Sequence, residues 1–199
     1  MNTSAALRPG YGGRRPDPRA AALSASIGLW VFIGVATSLF SLFFTAYAMR
    51  MDGSGDWTAL SMPWQLWLSS ALLAAGSLLL ERARRCDDAA MARRWLVAGG
   101  LCAAAFVLSQ LWAWQALQAA RVAIAGNPAA SFFYLLTALH GLHVLGGLAG
   151  WGVALHAPAP WRVALCARYW HFLFVVWALL FAAFGWLTQD IVDFICARG

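Results

Sequence analysis

The chain has 199 residues, 62% of them hydrophobic and 11% charged, with a formal net charge of +6. A soluble domain carries about 45–50% apolar and roughly 25% charged residues, so this composition belongs to a membrane protein. All 14 basic residues are arginine, and their grouping in loops argues for a membrane topology signal rather than a nucleic-acid surface.

Residues 1–20 are rich in Arg, Pro and Gly and read as a disordered basic tail. Residues 21–199 read as one all-α domain, an integral membrane bundle of five transmembrane helices. Ala46-Tyr47-Ala48 matches the A-x-A pattern of a cleavable signal. The uncharged run before it extends from Ala20 to Met49, however, whereas a signal core spans only about 7–15 residues. A retained first span is expected.

A span needs about 20 mostly apolar residues. The charge-free runs predict five: Ser24–Met49, Pro63–Leu80, Trp95–Ala120, Ala129–Leu155 and Arg168–Thr188. The turn signal Gly126-Asn127-Pro128 separates the third from the fourth. Each run must be a helix, because backbone polar groups in lipid need partners within the segment. Arg8, Arg14, Arg15 and Arg19 precede the first span. Arg82, Arg84, Arg85, Arg93 and Arg94 lie between the second and third, and Arg162 and Arg168 between the fourth and fifth. The other side holds only Arg50, Arg121 and Arg198. This bias predicts a cytoplasmic N-terminus and a periplasmic C-terminus.

Gly146, Gly150 and Ala154 recur every four residues, a small-residue face that permits close helix contact within the chain or with a partner. Trp30, Trp57, Trp64, Trp67, Trp95, Trp161 and Trp170 fall near predicted helix ends, as in an interfacial belt. Trp112, Trp114, Trp151 and Trp177 lie deeper and read as packing residues. Cys86, Cys102, Cys166 and Cys196 form no CxxC and read as unpaired thiols.

The histidines allow three chemistries: metal or haem ligation, proton transfer, or structural hydrogen bonding. His140 and His143 are three apart on one predicted helix. At 1.5 Å per residue His143 lies roughly 18 Å from the inner end of its span, His171 only about 5 Å inside its own, and His156 at the edge. No two on different helices match in depth, which disfavours a bis-histidine haem. All eight acidic residues lie outside or at the ends of predicted spans, which disfavours a buried proton relay. The reading left is that His140 and His143 are neutral interhelical hydrogen-bonding groups and His171 an anchor at the interface.

Several stretches resemble subunit III of the haem-copper terminal oxidases, in its short five-helix bacterial form. "FFYLLTALHGLHVLGGLAGW" and "YWHFLFVVWALLF" are similar to the two histidine blocks of that family. "GLWVFIGVATSLFSLFFTAYAMR" and "MPWQLWLSSALLAAGSLLLERAR" resemble its first two common helices. The resemblance covers residues 24–189 in order. It implies a non-catalytic accessory subunit of a respiratory chain in the bacterial plasma membrane, packed against oxidase subunit I and next to subunit II. The same resemblance implies haem and copper in subunit I and no cofactor in this chain. It also implies lipid held in a cleft, with Arg82 or Arg168 near headgroups, and support of proton uptake. His140, His143, Trp170 and His171 become interhelical hydrogen-bonding and packing residues, with Gly146 and Gly150 at a close contact. Two membrane carboxylates of the family are replaced, by Ala36 and Phe174, and an Asn-Thr pair by Ser69-Ser70. The accessory subunit of nitric oxide reductases shares the motifs. An independent transporter or a cytochrome b is the alternative of another class.

Overall fold

The computed structural model describes residues 17–51, 63–120 and 128–186. Five helices make up these residues: α1 Pro18–Met51, α2 Gln65–Arg85, α3 Ala89–Ala119, α4 Pro128–His156 and α5 Pro160–Trp186. All five are long and apolar enough to cross a membrane, and no strand occurs among the described residues. Residues 1–16 of the expected tail, the Gly126-Asn127 turn, Trp57 and the end of the fifth predicted span lie outside the described residues.

Most helices run further than the charge-free runs. α1 starts at Pro18, α2 continues to Arg85, α3 starts at Ala89 and α5 at Pro160. Charge marks where hydrocarbon ends, whereas helices stop where their backbone groups are capped. The Asp88 side chain accepts from the backbone N–H of Ala90 and Met91 at 3.3 and 3.0 Å, the usual N-cap arrangement. Pro128 and Pro160 open α4 and α5, where the missing proline N–H costs nothing. Three residues join α2 to α3, and three join α4 to α5, so each pair folds back on itself.

α2 and α3 form the closest-packed helix pair, with α5 against α2 and α4 against both α3 and α5. Glycine makes the first contact intimate. A Cβ on Gly99 would lie 2.8 Å from Leu80 Cγ, and one on Gly76 would lie 3.3 Å from the Gly99 carbonyl. The main core gathers Leu73, Leu80, Phe106, Phe133, Trp170 and Leu173 among others from α2 to α5. α1 lies to one side, packed mainly against α4 and α5. Only 11% of its apolar window is buried, against 39–44% for the other four. Several of its hydroxyls are satisfied within the helix: Thr37 donates to the Ile33 carbonyl at 2.8 Å and Ser38 to the Gly34 carbonyl at 3.0 Å. That arrangement suits a helix facing lipid, where a free hydroxyl would be costly.

Candidate functional site

Side-chain hydrogen bonds staple the four packed helices in pairs. One node joins three of them. Ser69 and Ser70 of α2 both donate to the Leu66 carbonyl, at 2.9 and 2.8 Å. With those protons committed, their oxygens accept from other helices. Gln110 Nε2 of α3 donates to Ser69 Oγ at 2.8 Å, and Trp177 Nε1 of α5 donates to Ser70 Oγ at 2.8 Å. The replacement of an Asn-Thr pair by two serines thus retains interhelical bonding.

A second link stands nearer the arginine-rich end. His171 Nδ1 and Ser77 Oγ are 2.5 Å apart, and His171 Nε2 lies 3.4 Å from Glu81 Oε2. A carboxylate facing Nε2 favours the proton on that nitrogen, so Nδ1 accepts from the Ser77 hydroxyl. Glu81 is also held by Arg84 and Arg85, with N···O distances of 2.5–2.8 Å. These partners explain how α2 carries a carboxylate inside a helix long enough to span.

Glu81 stands four residues before the end of α2, just past the predicted span. His171 stands eleven residues into α5, one turn after Arg168. The carboxylate that meets His171 comes from α2, while Phe174 packs on the core and Ala36 is buried.

The other predicted site residues are placed as follows. His140 is fully buried, and neither ring nitrogen has a hydrogen-bond partner. Its ring sits instead among Phe40 of α1, Phe106 of α3 and Trp177 of α5, at centroid distances of 6.4, 5.8 and 5.4 Å. The expected interhelical bond is replaced by aromatic packing where four helices meet. His143 Nδ1 donates to the Leu139 carbonyl of its own helix at 2.8 Å. The bond across to α5 uses the His143 backbone, whose carbonyl accepts from Tyr169 Oη at 3.0 Å. Trp170 is fully buried, not part of an interfacial belt, and its indole nitrogen bonds to no other helix. It packs on Gly147, where an added Cβ would lie 3.3 Å from Trp170 Cζ2.

Among the described residues Gly146 and Gly150 make no close contact, since a Cβ on either would meet nothing within 4 Å. The close approaches fall at Gly147 and at Gly100, whose Cβ position is filled by the Trp151 indole. Gly146 and Gly150 instead line a groove of about 420 Å³ between α1, α4 and α5, together with Leu29, Phe32, Arg162 and Tyr169. The groove is almost wholly apolar apart from Arg162, which lies over Trp161 at 5.0 Å. Arg82 and Arg168 do not line it. Arg82 lies over Trp95 at 5.6 Å, and Arg168 is exposed.

Sequence reasoning did not pick out Gln110, Ser77, Gly99, Gly100 or Tyr169. Of the deeper tryptophans, Trp114 donates to Thr137 Oγ1 at 3.2 Å and Trp151 to the Leu96 carbonyl at 2.8 Å, each joining α3 to α4. Trp112 is exposed and meets the edge of Trp64 at 5.0 Å. A helical period points to none of these pairs, because partners on different helices leave no mark on either segment alone. Among the described residues no three histidine, cysteine, aspartate or glutamate side chains converge as a metal site.

No protein-family model matches the chain. Similarity to individual proteins is extensive. A probable cytochrome c oxidase subunit 3 from Mycobacterium tuberculosis is 30% identical over 175 residues, covering 78% of this chain and 84% of the relative. The chain belongs to the cytochrome c oxidase subunit 3 family. The corresponding protein of Nocardia farcinica is 32% identical over 158 residues, 72% of this chain and 76% of the relative. That of Thermostichus vulcanus is 27% identical over 178 residues, 82% and 87%. As a subunit 3 family member the chain is an accessory subunit of the haem-copper terminal oxidase class. The geometry accords with such a role. Its polar groups tie helices together, and each contact described above has a packing or hydrogen-bonding partner inside the bundle.

Proposed function

We propose that this chain packs against the catalytic subunit of a bacterial haem-copper oxidase and steadies it during aerobic electron transport, without carrying haem or copper itself. The observation that carries this reading is the extent of the similarity to subunit 3 relatives, 84% of the length of the Mycobacterium tuberculosis protein. The hydrogen-bonded node of Gln110, Ser69, Ser70 and Trp177 supports it, since such a core suits a rigid scaffold. The host is the bacterial inner membrane, with subunits I and II as neighbours. The arginine bias supports a cytoplasmic N-terminus and a periplasmic C-terminus.

The α1–α4–α5 groove takes a lipid in this reading. Its glycine floor and aromatic wall suit an acyl chain, and Arg162 stands where an anionic headgroup would lie. Arg162 replaces Arg82 and Arg168 as the headgroup residue. Lipid analysis of the Arg162→Ala complex should show loss of a retained anionic phospholipid.

Purification of the tagged chain in mild detergent tests the proposal. The expected result is co-purification of a subunit I whose binuclear centre holds haem and copper. A centre of haem and non-haem iron would assign the chain to a nitric oxide reductase. A b-type haem retained by the isolated chain, or transport by it alone in liposomes, would overturn the accessory role.

A further inference from the structure

Two buried oxygens near the first turn of α2 have no donor. Gln65 is only 7% exposed, and its Oε1 has no hydrogen-bond partner; the same holds for Gln110 Oε1 of α3. Gln65 and Ser69 lie one turn apart on the same face of α2, and Gln110 bonds to Ser69. The two oxygens therefore belong to one neighbourhood, flanked by the Trp64–Trp112 edge contact between the same helices.

The hydroxyl and indole donors of the node are already committed. The Ser69 and Ser70 hydroxyls go to the Leu66 carbonyl, and the Trp177 indole N–H goes to Ser70. Gln110 spends an N–H on Ser69. Rotating the Gln110 amide would not help. It would set Oε1 against a serine oxygen whose proton already points elsewhere. Buried carbonyl oxygens in proteins are nearly always paired, with protein or with ordered water.

We propose that an ordered water molecule is bound between α2 and α3 here, donating one O–H to Gln65 Oε1 and the other to Gln110 Oε1. Water supplies two donors where two acceptors stand. Its own oxygen is free to accept the second amide N–H of Gln110. A hard cation would need more oxygen ligands than the two carbonyl groups present.

A cryo-EM map of the intact complex, at a resolution that shows ordered water, tests this directly. The expected result is a peak within hydrogen-bond distance of both oxygens. The variants Gln65→Met and Gln110→Met keep side-chain volume and remove one acceptor each, Gln110→Met also removing the bond to Ser69. Each alone should lower the thermal midpoint of the complex. The double variant should lower it by less than the sum of the two, and the peak should vanish. Three results would overturn the proposal: no peak, a direct amide-to-amide bond between Gln65 and Gln110, or strictly additive losses. If the variants fail to assemble, the wild-type map decides alone.

Discussion

The Trp151 indole fills the volume that a Cβ on Gly100 would need, and from there its Nε1 donates to the Leu96 carbonyl one turn earlier on α3. Gly100→Ala must therefore displace both a packed ring and its hydrogen bond. Overpacking of this kind costs about 1–3 kcal/mol. A lowered thermal midpoint of the purified complex is the expected readout. Gly146→Ala, whose Cβ meets open space, should change stability by no more than about 0.5 kcal/mol. Equal losses from both would contradict the assigned contacts.

Trp177→Phe separates hydrogen bonding from packing at the three-helix node. The phenyl ring keeps most contacts with Phe106 and His140 but cannot donate to Ser70. A loss of about 0.5–1.5 kcal/mol is expected. Trp177→Ala also opens a cavity and should cost about 3–5 kcal/mol. Paired melting curves check the ordering of the two variants.

His140→Leu should be tolerated. Neither ring nitrogen has a hydrogen-bond partner, and aromatic rings surround the side chain. Replacing a buried polar group without partners by an apolar one of similar size is often neutral or stabilising. Retained assembly and an unchanged or raised melting midpoint are expected. Collapse of assembly would show that the imidazole carries more than aromatic packing.

His171 behaves oppositely, because it links α5 to α2 through Ser77. His171→Gln and Ser77→Ala should each weaken long-term activity of the complex more than initial turnover. The two effects should be less than additive in a double-mutant cycle, since both remove one interaction. Immediate loss of turnover in a fully assembled complex would place His171 in the chemistry instead.

Much of this fold was legible in the sequence, for a simple physical reason. A span is a one-dimensional property: roughly 20 apolar residues in lipid must be helical. Five spans and their order follow from that alone. The start of the last helix did not, since α5 continues back through Arg168 and Arg162 to Pro160. The small-residue face was legible only in part. Gly146 and Gly150 carry the obvious four-residue period, but the close contacts fall at Gly147 and Gly100. Periodicity defines a face, and only the neighbouring helix decides which face is covered. The serine pair was better placed, because Ser69 and Ser70 stand inside a span where hydroxyls need partners.

The sparse packing of α1 has a consequence for how the protein is made. α1 is first in the chain, but its seat is built by α4 and α5, the last two helices. At roughly 5–20 residues per second, on the order of ten seconds separate the synthesis of α1 from that of the end of α5. During that interval α1 must stand in the bilayer without its neighbours. Its exposed leucine, valine and tryptophan side chains, with hydroxyls bonded back to its own carbonyls, equip it to wait there alone.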